Sequence, residues 1–244
     1  MNISIIIPTY NEEEYITETL IHLAKAKSAA TSKGIRSEII IIDSGHDKTF
    51  KLAKSISDKT LRFNERGVSK ARNYGASKAT GEILLFMDAD VTVPSHLFEK
   101  VAQTFKDEAT VAAISRVRPR ESASKHLSVS RRLFYLFDDI FIKNCIKHKS
   151  LLRFYNRGDI LAIKKRSFLC AGGFNEKLAI MEITDLVLKL SQEGKIALLN
   201  TTVFESVRRL KQWGVLKSYL IWGKYYISYW LMRKSPSSNY EPVR

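Results

Sequence analysis

A doubly wound α/β fold is what this sequence predicts, and three observations carry the prediction. Isoleucine-rich apolar runs at Ile3 to Ile7, Glu38 to Ile42 and Glu82 to Phe86 have the near-continuous hydrophobicity of parallel strands buried on both faces. Helical patterns separate them, over about 12–32, 47–56 and 69–79, which makes the order βαβαβ with right-handed crossovers. Each run ends in polar, turn-prone residues: Pro8-Thr9-Tyr10-Asn11-Glu12, Asp43-Ser44-Gly45 and Asp88-Ala89-Asp90. Ligands of such sheets sit outside the C-terminal strand ends, so these polar residues converge on one binding edge.

In chain order, the first run follows no basic region and breaks at Pro8, which predicts a strand and no signal peptide. Ser69 is placed to cap the third helix. Beyond residue 95 the pattern predicts a helix over 95–107, a strand over 110–116, a basic helical stretch over 127–147, a segment from Gly158 to Ala162 and a turn at Gly172-Gly173. Lys217 and Lys224 interrupt the apolar stretch from Trp213 to Met232, which predicts no transmembrane helix. Residues 235–244 read as a frayed tail.

At 244 residues, 45% hydrophobic and 27% charged, the chain is neither disordered nor fibrous. Cys145 and Cys170 build neither a disulfide framework nor a thiolate zinc site, which fits a reducing cytoplasm. The net charge of +15 is unevenly spread: residues 116–166 hold 14 Lys/Arg against 4 Asp/Glu, and residues 205–244 hold 8 against 2. Such blocks suit a polyanionic partner, nucleic acid or an anionic membrane surface. Their interleaving with Leu133, Phe137, Phe141 and Cys145, and with Leu216, Tyr219, Leu220, Trp222, Ile227 and Leu231, predicts helices with an apolar stripe that meet either a membrane interface or the protein's own core. The expectation is a peripheral membrane protein on the cytoplasmic face, with no nucleic-acid partner.

Asp88 and Asp90, spaced i, i+2 at a strand end, can turn both carboxylates to one side and share a hard divalent cation, Mg²⁺ or Mn²⁺, with the phosphates of a nucleotide diphosphate. Asp43 can accept from a base N–H or a ribose hydroxyl. Arg72, in the first turns of a helix, can meet a diphosphate.

These segments, with Gly67-Val-Ser-Lys-Ala-Arg-Asn-Tyr-Gly75 and Gly172-Gly-Phe-Asn-Glu176, stand in an order and spacing that resembles the family 2 glycosyltransferases over roughly residues 1–200. The resemblance implies a GT-A fold, a mixed, mostly parallel sheet flanked by helices, with a nucleotide-sugar donor, a divalent metal and inversion at the anomeric carbon. Residues 1–204 would form the catalytic domain, with 1–115 the donor half and 116–204 the acceptor half, followed by a basic amphipathic helical segment at 205–234. By position, Pro8, Thr9, Tyr10, Glu12 and Asp43 would hold the nucleoside. Arg72 would lie near the phosphates, and Asp88 and Asp90 would form the DXD motif.

One departure bears on the acceptor. Where many inverting members have a Glu-Asp pair after the Gly-Gly-Phe turn, this chain reads Met181-Glu182-Ile183-Thr184-Asp185, and Ile183 takes no proton. Either Glu182 or Asp185 substitutes, or the protein is inactive, or the acceptor needs no base. An ionised phosphate needs none, so a lipid-linked acceptor such as a polyprenyl phosphate is expected, in similarity to the dolichyl-phosphate sugar synthases, with a saccharide hydroxyl as the alternative. Arg116, Arg118, Arg120, Arg131 and Arg132 are candidates to contact the acceptor phosphate.

Overall fold

The computed structural model describes residues 1–120, 129–206 and 208–232. The side chains of Arg131 and Arg132 and the 235–244 tail lie outside the described residues. β1 (Asn2–Thr9), β2 (Arg36–Asp43), β3 (Lys59–Arg62), β4 (Ile83–Met87), β5 (Val91–Thr92), β6 (Thr110–Pro119), β7 (Ile160–Lys164) and β8 (Lys195–Glu205) form one sheet in the order β3-β2-β1-β4-β7-β6-β8-β5. The first four are parallel neighbours, as the isoleucine runs predict. β7 then runs antiparallel to both β4 and β6, while β6 and β8 pair in parallel, so the sheet is mixed.

The helices are α1 (Ile16–Thr31), α2 (Thr49–Lys54), α3 (Val68–Lys78), α4 (Leu97–Thr104), α5 (Val129–Lys147), α6 (Lys165–Cys170), α7 (Glu182–Glu193) and α8 (Arg208–Met232), with a 3₁₀ turn at Lys149–Phe154. Alternation along each strand feeds two cores. Ile3, Ile5, Ile7, Ile39 and Leu85 meet Ile16, Leu20 and Leu23 of α1 on one face. Ile6, Ile40, Leu84 and Phe86 meet Ala71 of α3 and Ile183, Leu186 and Leu190 of α7 on the other. The register sets Thr9 beside Asp43, which aligns the polar ends of β1 and β2.

Several boundaries depart from expectation for local reasons. The acidic run 12–14 is a turn, its Glu12 carbonyl accepting from the amides of Tyr15 and Ile16, so α1 starts four residues late. Ser69 is not a cap: α3 is capped by Gly67 at φ 129°, and Ser69 is buried within the first turn. Strands β3 and β8 and helix α7 were not legible as separate elements.

The two basic helices correct the single-stripe expectation. Along α5, steps of four residues advance about 40° beyond a full turn each. Leu133 and Phe137 therefore point outward with Val129, Leu136 and Ile140, while Tyr135, Ile142 and Cys145 are buried. On α8, Leu220, Ile227 and Leu231 are exposed while Tyr226 and Tyr229 pack inward, so its apolar residues lie on more than one side.

Gly75 is where α3 lies against the sheet: a Cβ there would come within 2.4 Å of Ile6 Cγ2 and 3.1 Å of Ile42 Cγ1. Ala is the better helix former by about 1 kcal/mol, yet overpacking a β-strand side chain costs about 1–3 kcal/mol. Gly75→Ala is expected to destabilise the chain on balance, measured as a lower midpoint in urea with an unchanged m-value.

Candidate active site

Three arginines organise the polar edge. The first is Arg72 on α3, whose side chain is 2% exposed and therefore needs full compensation. It donates from Nη2 to Asp88 Oδ1 and from Nη1 to Glu182 Oε1, both at 2.9 Å, and its guanidinium lies 5.3 Å from the ring centre of Phe174. Arg72 was expected near the phosphates; in this structure it joins the β4 end to the start of α7. Neighbouring Asn73 anchors the Gly-Gly-Phe turn by accepting from the Phe174 amide and donating to the Phe174 carbonyl. Gly158 keeps the floor open, since a Cβ there would sit 3.0 Å from Arg72 Nη2 and 3.6 Å from Asp88 Oδ2.

The second arginine is Arg208, the first residue of α8. It forks onto both oxygens of Glu12, at 2.7 and 3.0 Å, and places Nε 3.1 Å from Asp90 Oδ2. Burial pushes the Asp90 carboxyl up to about 6, with Asp88, Glu12 and Asp159 adding to the rise and Arg208 opposing it. Arg208 was outside the predicted site. The signal for it was a basic pair opening the C-terminal helical segment.

The third is Arg157, which meets Asp159 at 3.0 Å, Asp138 of α5 at 3.2 Å and Glu205 of β8 at 2.7 Å. The Asp88 amide donates to the Asp159 carbonyl at 3.4 Å, so this cluster underlies the Asp88-Ala89-Asp90 turn. No single short motif links these four residues in sequence, which is why it went unread.

At the aligned ends of β1 and β2, Asp43 is fully buried. It accepts from Thr9 Oγ1 at 2.8 Å and from Arg62 at 2.6 Å, and burial pushes its carboxyl above the usual range against those bonds. Tyr10 stands edge-on to His46 at 6.5 Å. A cleft of about 440 Å³ opens beside them, lined by Asn11, Tyr15, His46, Asp47 and Arg208 among others. Pro8 stays in register with Ile42 at the strand end.

The two carboxylates in the first turn of α7 separate. Glu182 is held by Arg72, and burial raises its carboxyl. Asp185 turns to Lys189 at 2.9 Å and accepts from Tyr229 of α8 at 3.2 Å. Ile183 between them is buried in the core. Of the acceptor candidates, Arg118 pairs with Asp139 at 2.9 Å, Arg120 donates to the Asp90 carbonyl at 2.7 Å, and Arg116 is half-buried on β6.

A divalent cation fits this donor set. Asp88 and Asp90 offer hard carboxylate oxygens, and Asp90 already faces the cationic Arg208 at 3.1 Å. Among the described residues no three His, Cys, Asp or Glu side chains form a group that could hold a metal ion by themselves.

Comparison with known proteins places this geometry. The model of the family described as Glycosyl transferase family 2 matches residues 4–169. Dolichol-phosphate mannosyltransferase of Pyrococcus furiosus is 32% identical over 122 residues, 48% of this chain and 33% of that protein. Glucosyl-dolichyl phosphate glucuronosyltransferase of Haloferax volcanii is 23% identical over 181 residues, 72% of this chain and 56% of that protein. Among solved structures, the mannosyltransferase PcManGT of Pyrobaculum calidifontis, in complex with GDP-Man and Mn²⁺, aligns with a TM-score of 0.63 at 20% identity, over 84% of this chain and 56% of its own. TarS 1–349 of S. aureus in complex with UDP-GlcNAc also reaches 0.63, at 19% identity, over 84% of this chain and 58% of its own. The chain thus spans a third to just over half of these relatives, and the fold is GT-A.

The Arg157 cluster makes stability depend on pH. Burial, with the charge of Asp159, pushes Glu205 up to about 8, while Asp159 is held below its usual value. A carboxyl raised on folding keeps extra protons in the folded state, so its contribution is present at acid pH and is lost as pH rises through about 8. The melting temperature is expected to fall between about pH 5 and 8, and Glu205→Gln, uncharged at every pH, to flatten that fall.

Proposed function

The chain belongs to glycosyl transferase family 2, and from that premise we propose that this glycosyltransferase moves a sugar, with inversion, from a UDP- or GDP-linked donor to a lipid-linked acceptor, a polyprenyl phosphate, at a membrane surface. The observation that carries the acceptor is the first turn of α7. Ile183 is buried in the core, Glu182 is committed to Arg72, and Asp185 is committed to Lys189 and Tyr229. Both carboxylates are thus engaged by side chains of this chain. An ionised phosphate already carries its attacking lone pair and needs no base, whereas a sugar hydroxyl without one forfeits roughly 10²–10⁴-fold.

In this reading Pro8, Thr9, Tyr10, Glu12 and Asp43 hold the nucleoside, and Asp88 and Asp90 hold Mg²⁺ or Mn²⁺. Arg72 positions Asp88 and Glu182 together. When bound, the metal neutralises charge growing on the departing diphosphate. The acceptor phosphate oxygen forms its bond to the anomeric carbon from the face opposite the diphosphate, whose bridging oxygen leaves with the electron pair. Arg116, Arg131 and Arg132 are assigned to the acceptor side, and Arg118 is left out because Asp139 engages it. The name of the Pyrococcus furiosus relative supports a lipid phosphate acceptor, and that of the Haloferax volcanii relative supports the broader class of lipid-linked acceptors.

Support for the membrane surface comes from α5 and α8. Val129, Leu136 and Phe137 on α5 and Leu220, Ile227 and Leu231 on α8 are all more than half exposed, and Lys143, Lys217 and Lys224 are exposed on the same two helices. Apolar side chains flanked by lysine suit an anionic bilayer interface on the cytoplasmic side. Among the described residues no helix is long and apolar enough to cross a membrane.

The test is transfer of label from radioactive UDP- and GDP-sugars, with Mn²⁺ or Mg²⁺, into organic-extractable polyprenyl phosphate. Metal-dependent lipid label is expected, and Asp88→Asn and Asp90→Asn should each lower it by about 10²-fold or more. Label in free saccharides with none in lipid would replace the phosphate acceptor by a hydroxyl.

A further inference from the structure

We infer that Arg208 is a positioning residue of the donor site: its guanidinium stands in for the divalent cation at Asp90, so that metal binding there requires Arg208 to let go. The inference rests on Asp88 and Asp90 being the metal ligands, and it adds a control that α8 exerts on them.

The two arms of Arg208 are unequal. Its grip on Glu12 is a two-oxygen fork at 2.7 and 3.0 Å, whereas Asp90 is met by Nε alone at 3.1 Å. Its guanidinium also lies 4.7 Å from the ring centre of Tyr15, which holds it on the Glu12 side. Asp90 Oδ2 cannot serve a guanidinium and a dication at once. The exchange therefore takes place at Asp90, while Glu12 and Tyr15 retain the arginine beside the diphosphate site.

The backbone makes this exchange a property of α8. Val91 of β5 pairs with Glu205 of β8, the Ser206 amide donates to the Asp90 carbonyl at 3.3 Å, and the Arg208 amide donates to Ser206 Oγ at 3.3 Å. The DXD turn and the start of α8 are thus one hydrogen-bonded unit. At its far end α8 is seated by the Tyr229 hydroxyl on Asp185, by Tyr226 stacked on Phe154 at 5.3 Å and by Arg153 5.6 Å from the ring centre of Trp230. A helix fixed at both ends to elements of the site, with exposed Leu220, Ile227 and Leu231, can pass a change of seating to Asp90.

The experiment is Mn²⁺ titration of the full chain without donor, by electron paramagnetic resonance at about pH 8. Arg208→Gln is expected to bind Mn²⁺ about tenfold more tightly than the native chain, and Arg208→Lys, which keeps the charge, to stay near the native value. A purely structural Arg208 would leave Mn²⁺ affinity unchanged or weaker in Arg208→Gln, and either result overturns the inference, as does absence of Mn²⁺ binding to every form. If Arg208→Gln does not fold, Glu12→Gln with Arg208→Gln removes the matching buried charge and is compared with Glu12→Gln alone; tighter binding supports the exchange and equal or weaker binding overturns it. Tight Mn²⁺ binding without lipid label would sink only the acceptor assignment.

Discussion

The site depends on a buried guanidinium that must be paired. Arg72 is nearly inaccessible, and the two carboxylates that satisfy it lie 16 and 110 residues further along the chain. An unpaired buried charge costs several kcal/mol, so Arg72 ties α3, the β4 turn and the start of α7 together through its two carboxylate partners. That requirement sets where Asp88 points and why Glu182 stays in the site while Asp185 leaves it. Arg157 repeats the device beneath the DXD turn and Arg208 repeats it above, each joining carboxylates from separate elements.

This changes the meaning of the basic composition. Within 116–166 the excess of positive charge suggests a surface for an anionic partner, yet Arg118, Arg120 and Arg157 are internal ties to Asp139, Glu18 and the Asp138–Asp159–Glu205 group. The lysines at 143, 217 and 224 remain at the surface, beside outward-facing leucine, isoleucine and phenylalanine. The membrane reading therefore stands on fewer charges than the composition offers, and on the apolar residues next to them.

Legibility followed the range of the interactions. The parallel half of the sheet was readable because buried strands are written in contiguous isoleucine, and the binding edge because each run ends in polar residues. The antiparallel insertion of β7 between β4 and β6 was not, since strand order beyond the first four follows from long-range pairing. Ser69 was misread as a cap because a serine before a helical pattern is a local signal, and Gly67 with its positive φ took the position instead. Asp88 and Asp90 were found by spacing. Arg208 was missed because its partners are 196 and 118 residues away, and local pattern says nothing about that distance.

The central claim is that the β4 edge, with Asp88 and Asp90 held by Arg72 and Arg208, is a metal-dependent nucleotide-diphosphate site. A crystal structure with Mn²⁺ and UDP or GDP tests it most directly. The account predicts the metal on Asp88 or Asp90 and the diphosphate, the base beside Asp43, and Asp90 parted from Arg208. Nucleotide bound away from this edge, or bound there with the Arg208–Asp90 contact intact and no metal on either aspartate, would contradict it.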